Sequence, residues 1–206
     1  MNDFGLYVIL TNPVLSYEKI AEICVQRGIG MLQLREKHLI DKQLLDAARR
    51  IKSVTKGSPT LFVVNDRADI AALSDADVLH LGQDDLPMAE ARRIVGENMK
   101  IGLSTHSLRQ AREALALKPD YIGFGPVYPT TTKAIADPTV GTGLLKEVVD
   151  FSDVPVVAIG GIFPANIREV IQAGAKNLSL VRYLMETDQT EKRIIELQET
   201  IERYSG

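Results

Sequence analysis

Eight times along this chain a short apolar, β-branched run is followed by a stretch with helical spacing, and that alternation limits the possible folds more than any other feature. The candidate strands are Leu6–Leu10, Met31–Arg35, Leu61–Val64, Val78–Leu81, Ile101–Ser104, Tyr121–Gly125, Val156–Gly160 and Asn177–Val181. Runs such as Phe62-Val63-Val64 and Val156-Val157-Ala158-Ile159 are apolar on both faces, as parallel strands covered by helices are. Between them, Ile20, Ile23 and Cys24 share one helical face, and Leu44, Leu45, Ala48 and Ile51 share another. Ile167, Val170 and Ile171 repeat the spacing, with Gly174 as the stop, and a last helix is expected over about 189–204. Eight strands and about eight helices in 206 residues predict an α/β fold, a single (β/α)8 TIM barrel spanning residues 1–206. An open doubly wound sheet is the other arrangement of such units. The absence of a Gly-x-Gly-x-x-Gly turn after the first strand favours the barrel.

Composition narrows the function. Lys and Arg number 24 against 27 Asp and Glu, a net charge of −3, so a general nucleic-acid-binding role is not expected. Any anionic ligand must meet a local cluster of positive charge. No apolar run approaches the ~20 residues of a membrane span, and the start lacks a basic leader segment. No membrane partner is expected, and the reducing cytoplasm is the expected compartment. The lone Cys24 lies in an apolar stretch and reads as a small buried hydrophobe. The three histidines and one cysteine have no zinc spacing, and no Gly-x-Ser-x-Gly nucleophile turn is present. Apolar residues on the outer helices are compatible with a homo-oligomer without requiring one.

In a (β/α)8 barrel, function collects on the loops leaving the C-terminal strand ends, and the unusual residues of this chain fall there. Gln33, Arg35 and Lys37 alternate along the end of the second strand, so they share a face that Leu32 and Leu34 do not. Two cations in a closed mouth call for a phosphate or pyrophosphate. Asn65-Asp66-Arg67 and Gln83-Asp84-Asp85 follow the third and fourth strands. Helix capping and turn formation would each account for one of these strings. Taken together, Asp66 and Asp85 are placed to share one divalent ion, and two carboxylates with phosphate oxygens and water make an octahedral Mg2+ site. Ser104-Thr105-His106 follows the fifth strand, with Gly102 and Ser104 expected to leave space inside. His80 is expected as a hydrogen-bonded core residue, His38 as a loop residue and His106 as a capping or surface residue. The long connection after the sixth strand carries Thr130, Thr131, Thr132 and Lys133, donors suited to oxyanions. Gly160-Gly161 lets backbone approach a phosphate ahead of a helix expected to start near 164–166, and Arg182 stands just past the eighth strand.

These strings, in this order and spacing over nearly the whole chain, resemble the thiamine phosphate synthase family. They include Gln33-Leu34-Arg35-Glu36-Lys37, Val64-Asn65-Asp66-Arg67, His80 through Asp85, Gly102 through Ser107, Gly123 through Lys133 and Ala158 through Ile162. The resemblance implies a transferase on a (β/α)8 barrel. Its two small phosphorylated substrates would be an aminopyrimidine diphosphate and a thiazole phosphate or its carboxylated precursor. It implies that Gln33, Leu34, Arg35, Glu36, Lys37, Asn65, Ser104 and Lys133 hold the pyrimidine diphosphate. Arg35, Lys37, Ser104 and Lys133 would act in catalysis. Asp66 and Asp85 would hold Mg2+, and Thr130, Thr131, Thr132, Gly161, Val181 and Arg182 would line the thiazole phosphate site. The chain departs from the family pattern at Arg182, where a small residue such as serine is common. Three other readings stand beside it: a thiazole tautomerase, a phospho-ligand-binding protein without catalysis, and a sugar-phosphate isomerase. The tautomerase pattern has a catalytic histidine where this chain has Pro126, and the isomerase would need a paired acid and base in the mouth.

Overall fold

A computed structural model of the chain describes residues 1–130 and 138–205. In chain order its elements begin β1 (Leu6–Leu10), α1 (Tyr17–Gln26), β2 (Met31–Leu34), α2 (Asp41–Thr55), β3 (Leu61–Asn65) and α3 (Ala68–Leu73). They continue β4 (Val78–Leu81), α4 (Met88–Val95), β5 (Lys100–Thr105), α5 (Leu108–Ala116), β6 (Tyr121–Phe124) and α6 (Gly141–Phe151). The last are β7 (Val156–Ile159), α7 (Ile167–Gln172), β8 (Asn177–Ser179), α8 (Val181–Met185) and α9 (Thr190–Ser205). The strands close in sequence order into a parallel barrel, with β8 pairing β1. The expected (β/α)8 architecture is therefore present. Four strands stop short of their expected ends, the largest difference being β8, which ends at Ser179 so that Val181 and Arg182 open α8. No described helix is long and apolar enough to cross a membrane.

The period-2 geometry of a strand divides the apolar residues into two cores. Leu6, Val8, Leu10, Leu32, Leu34 and Val64 face outward and pack in one cluster with helix residues such as Ile20, Cys24, Ala48 and Ile51. Tyr7, Ile9, Met31, Val63, Val78, Tyr121 and Val157 fill the barrel interior. Most strand residues are therefore buried whichever face they take, which is why the strands read as largely apolar runs.

The N-terminal rim is held by a device repeated at alternate strands. Asp77, just before β4, accepts the Phe62 amide at 2.9 Å and donates its own amide to the Phe62 carbonyl at 3.0 Å. Asp120, just before β6, does the same with Ile101, at 2.9 Å and 2.8 Å. Asn177, at the start of β8, accepts the Phe4 and Gly5 amides at 2.7 Å and 3.1 Å. Each side chain satisfies an amide that the barrel ladder leaves over. Asp120→Ala strands the Ile101 amide and is expected to lower stability by about 1–3 kcal/mol. Urea unfolding measures the loss, and ligand binding at the opposite rim should be unchanged.

Candidate active site

One cavity, open to solvent, occupies the C-terminal mouth of the barrel. Of the residues singled out in the sequence, Gln33, Arg35, Asn65, Ser104, Thr130, Gly161, Val181 and Arg182 line it. Leu34 does not, because its side chain packs outward against the helices. Glu36 is buried away from the cavity, its carboxylate accepting the Asn12 amide at 2.6 Å and the Tyr17 hydroxyl at 2.9 Å. Both follow from strand alternation: if Gln33 and Arg35 face in, their neighbours face out. Thr131, Thr132 and Lys133 lie outside the described residues.

Among the described residues, neither Arg35 nor Arg182 has a carboxylate partner, although both line this mouth. The Arg182 guanidinium stacks over the Phe163 ring, 5.4 Å from its centre, which restrains it at the cavity edge. Two guanidiniums facing one cavity without acid partners among these residues make a receptor for an anion. The paired glycines of the β7–α7 loop are set by packing. Gly160 and Gly161 have φ of 96° and 64°, and a Cβ on Gly161 would lie 2.6 Å from the Tyr128 carbonyl oxygen. Only glycine lets the β6–α6 loop lie this close to the rim.

Asp66, Asp85 and Lys37 gather beside the cavity rather than lining it. Lys37 Nζ lies 3.3 Å from Asp66 Oδ2, and Asp85 Oδ2 accepts the Gly82 amide at 2.6 Å. Capping does not explain Asp66, since no side chain caps α3, whereas Asp85 does make a turn bond within its own loop. The Asp66 carboxyl is pushed up to about 6, first by burial and then by its hydrogen bond with Asp85 and the Asp85 charge, while Lys37 pulls the other way. Two carboxylates forced together in this way form a donor set of the kind hard divalent cations take. No group of three metal-ligating side chains occurs among the described residues, so ligand oxygens and water would complete such a site.

The cavity floor holds residues that have little weight in the sequence alone. Tyr7 and Tyr121 are fully buried inward residues of β1 and β6, and a Cβ on Gly102 would lie 2.1 Å from the Tyr121 ring. The space expected beside Gly102 is therefore filled by this tyrosine. His80 is, as expected, hydrogen-bonded in the core, and it also lines the cavity. His106, expected as a capping or surface residue, lines the cavity instead, and its Nδ1 donates to the Gly125 carbonyl at 2.5 Å. Tyrosines in apolar runs give no local signal, because only the closed ring shows that their hydroxyls meet.

The fold and this mouth define a class: a (β/α)8 barrel with a cation-lined cavity at the C-terminal ends of its strands. Residues 6–184 match the model of the thiamine monophosphate synthase family. The chain is 43% identical over 203 residues to the thiamine-phosphate synthase of Lawsonia intracellularis, covering 97% of this chain and 93% of that protein. It is 42% identical over 185 residues to that of Shouchella clausii, covering 88% of each. Its backbone superposes on a thiamine phosphate pyrophosphorylase from Pyrococcus furiosus with a TM-score of 0.89 at 32% identity, covering 100% of this chain and 98% of that one. The chain belongs to the thiamine monophosphate synthase family.

A pH dependence follows from Asp66. Its folded value of about 6 stands above the ordinary 3.8, so between these the folded protein keeps a proton the unfolded chain releases. Through this group the metal-free protein loses stability as pH rises across that window. Asp85→Asn should bring the Asp66 carboxyl down toward 3.8 without reaching it, because burial remains. Carboxyl NMR titration of both proteins measures the difference.

Proposed function

We propose that this protein is a thiamine phosphate synthase. It would join 4-amino-5-hydroxymethyl-2-methylpyrimidine diphosphate to 4-methyl-5-hydroxyethylthiazole phosphate, or to its carboxylated form with loss of carbon dioxide, and release pyrophosphate. The observation that carries the reading is the pair of guanidiniums, Arg35 and Arg182, in one mouth without acid partners among the described residues, beside Asp66, Asp85 and Lys37. Family membership supports it. The cytoplasm is the compartment such a reaction implies.

In this reading the pyrimidine diphosphate lies toward Gln33, Arg35, Asn65 and Ser104, with Lys37 and Lys133 on the diphosphate. The thiazole phosphate lies toward Thr130, Gly161, Val181 and Arg182, with Thr131 and Thr132 from the same loop. Asp66 and Asp85 would hold Mg2+, which when bound supplies positive charge to the leaving diphosphate. The bond from the exocyclic carbon to the diphosphate oxygen breaks, and its electron pair leaves with pyrophosphate. The 4-amino group donates electrons into the ring and stabilises the cation left behind. The thiazole nitrogen then forms the new carbon–nitrogen bond with its lone pair. No proton has to be removed from that nitrogen, so the step needs no general base. Arg35, Lys37 and Lys133 neutralise charge that grows on the leaving group. The apolar wall of Ile9, Val157 and Ile159 limits water at the reacting carbon.

The direct test is purified protein with both substrates and Mg2+, reading thiamine phosphate and pyrophosphate; no product above background rejects the synthase reading. A tautomerase would instead isomerise the thiazole alone, and a non-catalytic protein would bind without turnover. Asp85→Ala should lower turnover at least about tenfold, corresponding to ~1.4 kcal/mol of transition-state stabilisation. Turnover that does not respond to a Mg2+ titration would remove Asp85 from that role. Arg182→Ala should raise KM for the thiazole phosphate about tenfold or more with a smaller effect on kcat, if its guanidinium binds phosphate.

A further inference from the structure

Along the cavity floor five side chains from five strands of the ring form one continuous hydrogen-bonded line. Gln33 Nε2 donates to Tyr7 Oη at 2.6 Å, and Tyr7 Oη lies 3.0 Å from Tyr121 Oη. Tyr121 Oη lies 2.8 Å from His80 Nδ1, and His80 Nε2 lies 2.8 Å from Ser104 Oγ. Gln33 and both tyrosines are no more than 2% exposed. The Phe4, Tyr7 and Tyr121 rings meet edge to face, at 5.9–6.0 Å between centres, and His80 stacks on Tyr121. The hydroxyls therefore have little freedom to choose other partners.

We infer that Tyr7 and Tyr121 are positioning residues that hold His80 as its Nε2–H tautomer and so turn Ser104 into a one-way hydrogen-bond donor to the bound pyrimidine ring. The direction follows from the first link. An amide nitrogen only donates, so Tyr7 Oη accepts from Gln33 and its own hydrogen is left for Tyr121. Burial raises the pKa of both phenols above its ordinary value, so both keep their hydrogens. Tyr121 has one hydrogen and already accepts from Tyr7, so it donates to His80 Nδ1. With Nδ1 accepting, an imidazole bearing one ring hydrogen carries it on Nε2 and donates to Ser104 Oγ. Ser104 lines the cavity, and with its oxygen accepting from His80 its hydrogen is presented to a ligand acceptor. An aminopyrimidine offers such an acceptor in its ring nitrogens. Fixing that edge of the ring fixes where the exocyclic carbon points, which is the alignment the carbon–nitrogen bond needs. The substrate part of this inference rests on the synthase reading, whereas the hydrogen-bond order does not.

The chain has only three histidines, so long-range 15N–1H spectra of the free, full-length protein resolve each ring. The expected wild-type result is His80 protonated at Nε2; an Nδ1–H tautomer, or a mixture of the two, overturns the relay. Tyr121→Phe should convert His80 to a mixture and lower kcat about tenfold, with KM for the thiazole phosphate unchanged. Tyr7→Phe should do the same more weakly, and the double variant should be no worse than Tyr121→Phe alone, because the two act in series. Folded Tyr121→Phe with an unchanged tautomer and unchanged turnover rejects the proposal. If that variant does not fold, the wild-type spectrum still decides the order of the line. Absence of any turnover in the wild type rejects the synthase reading, and the histidine spectrum then decides the relay by itself.

Discussion

Pairing of β8 with β1, Leu6 opposite Leu178 and Tyr7 opposite Ser179, is the contact on which the rest of the molecule depends. Without it the sheet is open, and β1 has a free edge instead of a neighbour. With it, every inward residue near the C-terminal rim points at one axis. Tyr7 of β1 then meets Tyr121 of β6, although 114 residues separate them. Arg35, just past β2, and Arg182 of α8 then share a mouth. The Asx side chains before or at the start of β4, β6 and β8 secure the opposite rim, so stability and ligand chemistry sit at opposite ends of the same strands.

The charges at the mouth are arranged against their own solvation preferences. Asp66 is held beside Asp85 in a left-handed backbone conformation, with φ of 62°. Burial and like charge both disfavour its ionised form, and Lys37 offsets only part of this. Such strain suits a site that gathers positive charge around an anionic ligand. Arg35 and Arg182 are the converse, cations without acid partners among the described residues. Together they leave positive charge at the mouth that the described carboxylates do not offset. The floor beneath is tightly hydrogen-bonded.

Much of this is legible from residue order. The barrel follows from eight repeats of one local pattern, and the strand cores agree with it to within a residue or two at most ends. The inward set Gln33 and Arg35 follows from strand alternation, which also turns Leu34 and Glu36 outward, against a ligand role for their side chains. The end of β8 differs from expectation because Leu180 and Val181 continue an apolar run while the backbone already turns into α8. His106 escapes notice because a histidine beside a helix start looks the same whether it caps or faces a cavity.

Local sequence determined the alternation of strand and helix, the inward and outward faces, and the polar residues at the strand tips, because those depend on neighbours two to four positions away. Only the closed tertiary structure decided that Gly102 makes room for Tyr121, that Asp66 presses on Asp85, and that two tyrosines join Gln33 to Ser104 through His80. Those contacts join residues far apart in the chain. Their geometry is set by how the ring closes and twists, and no short stretch of sequence contains that information.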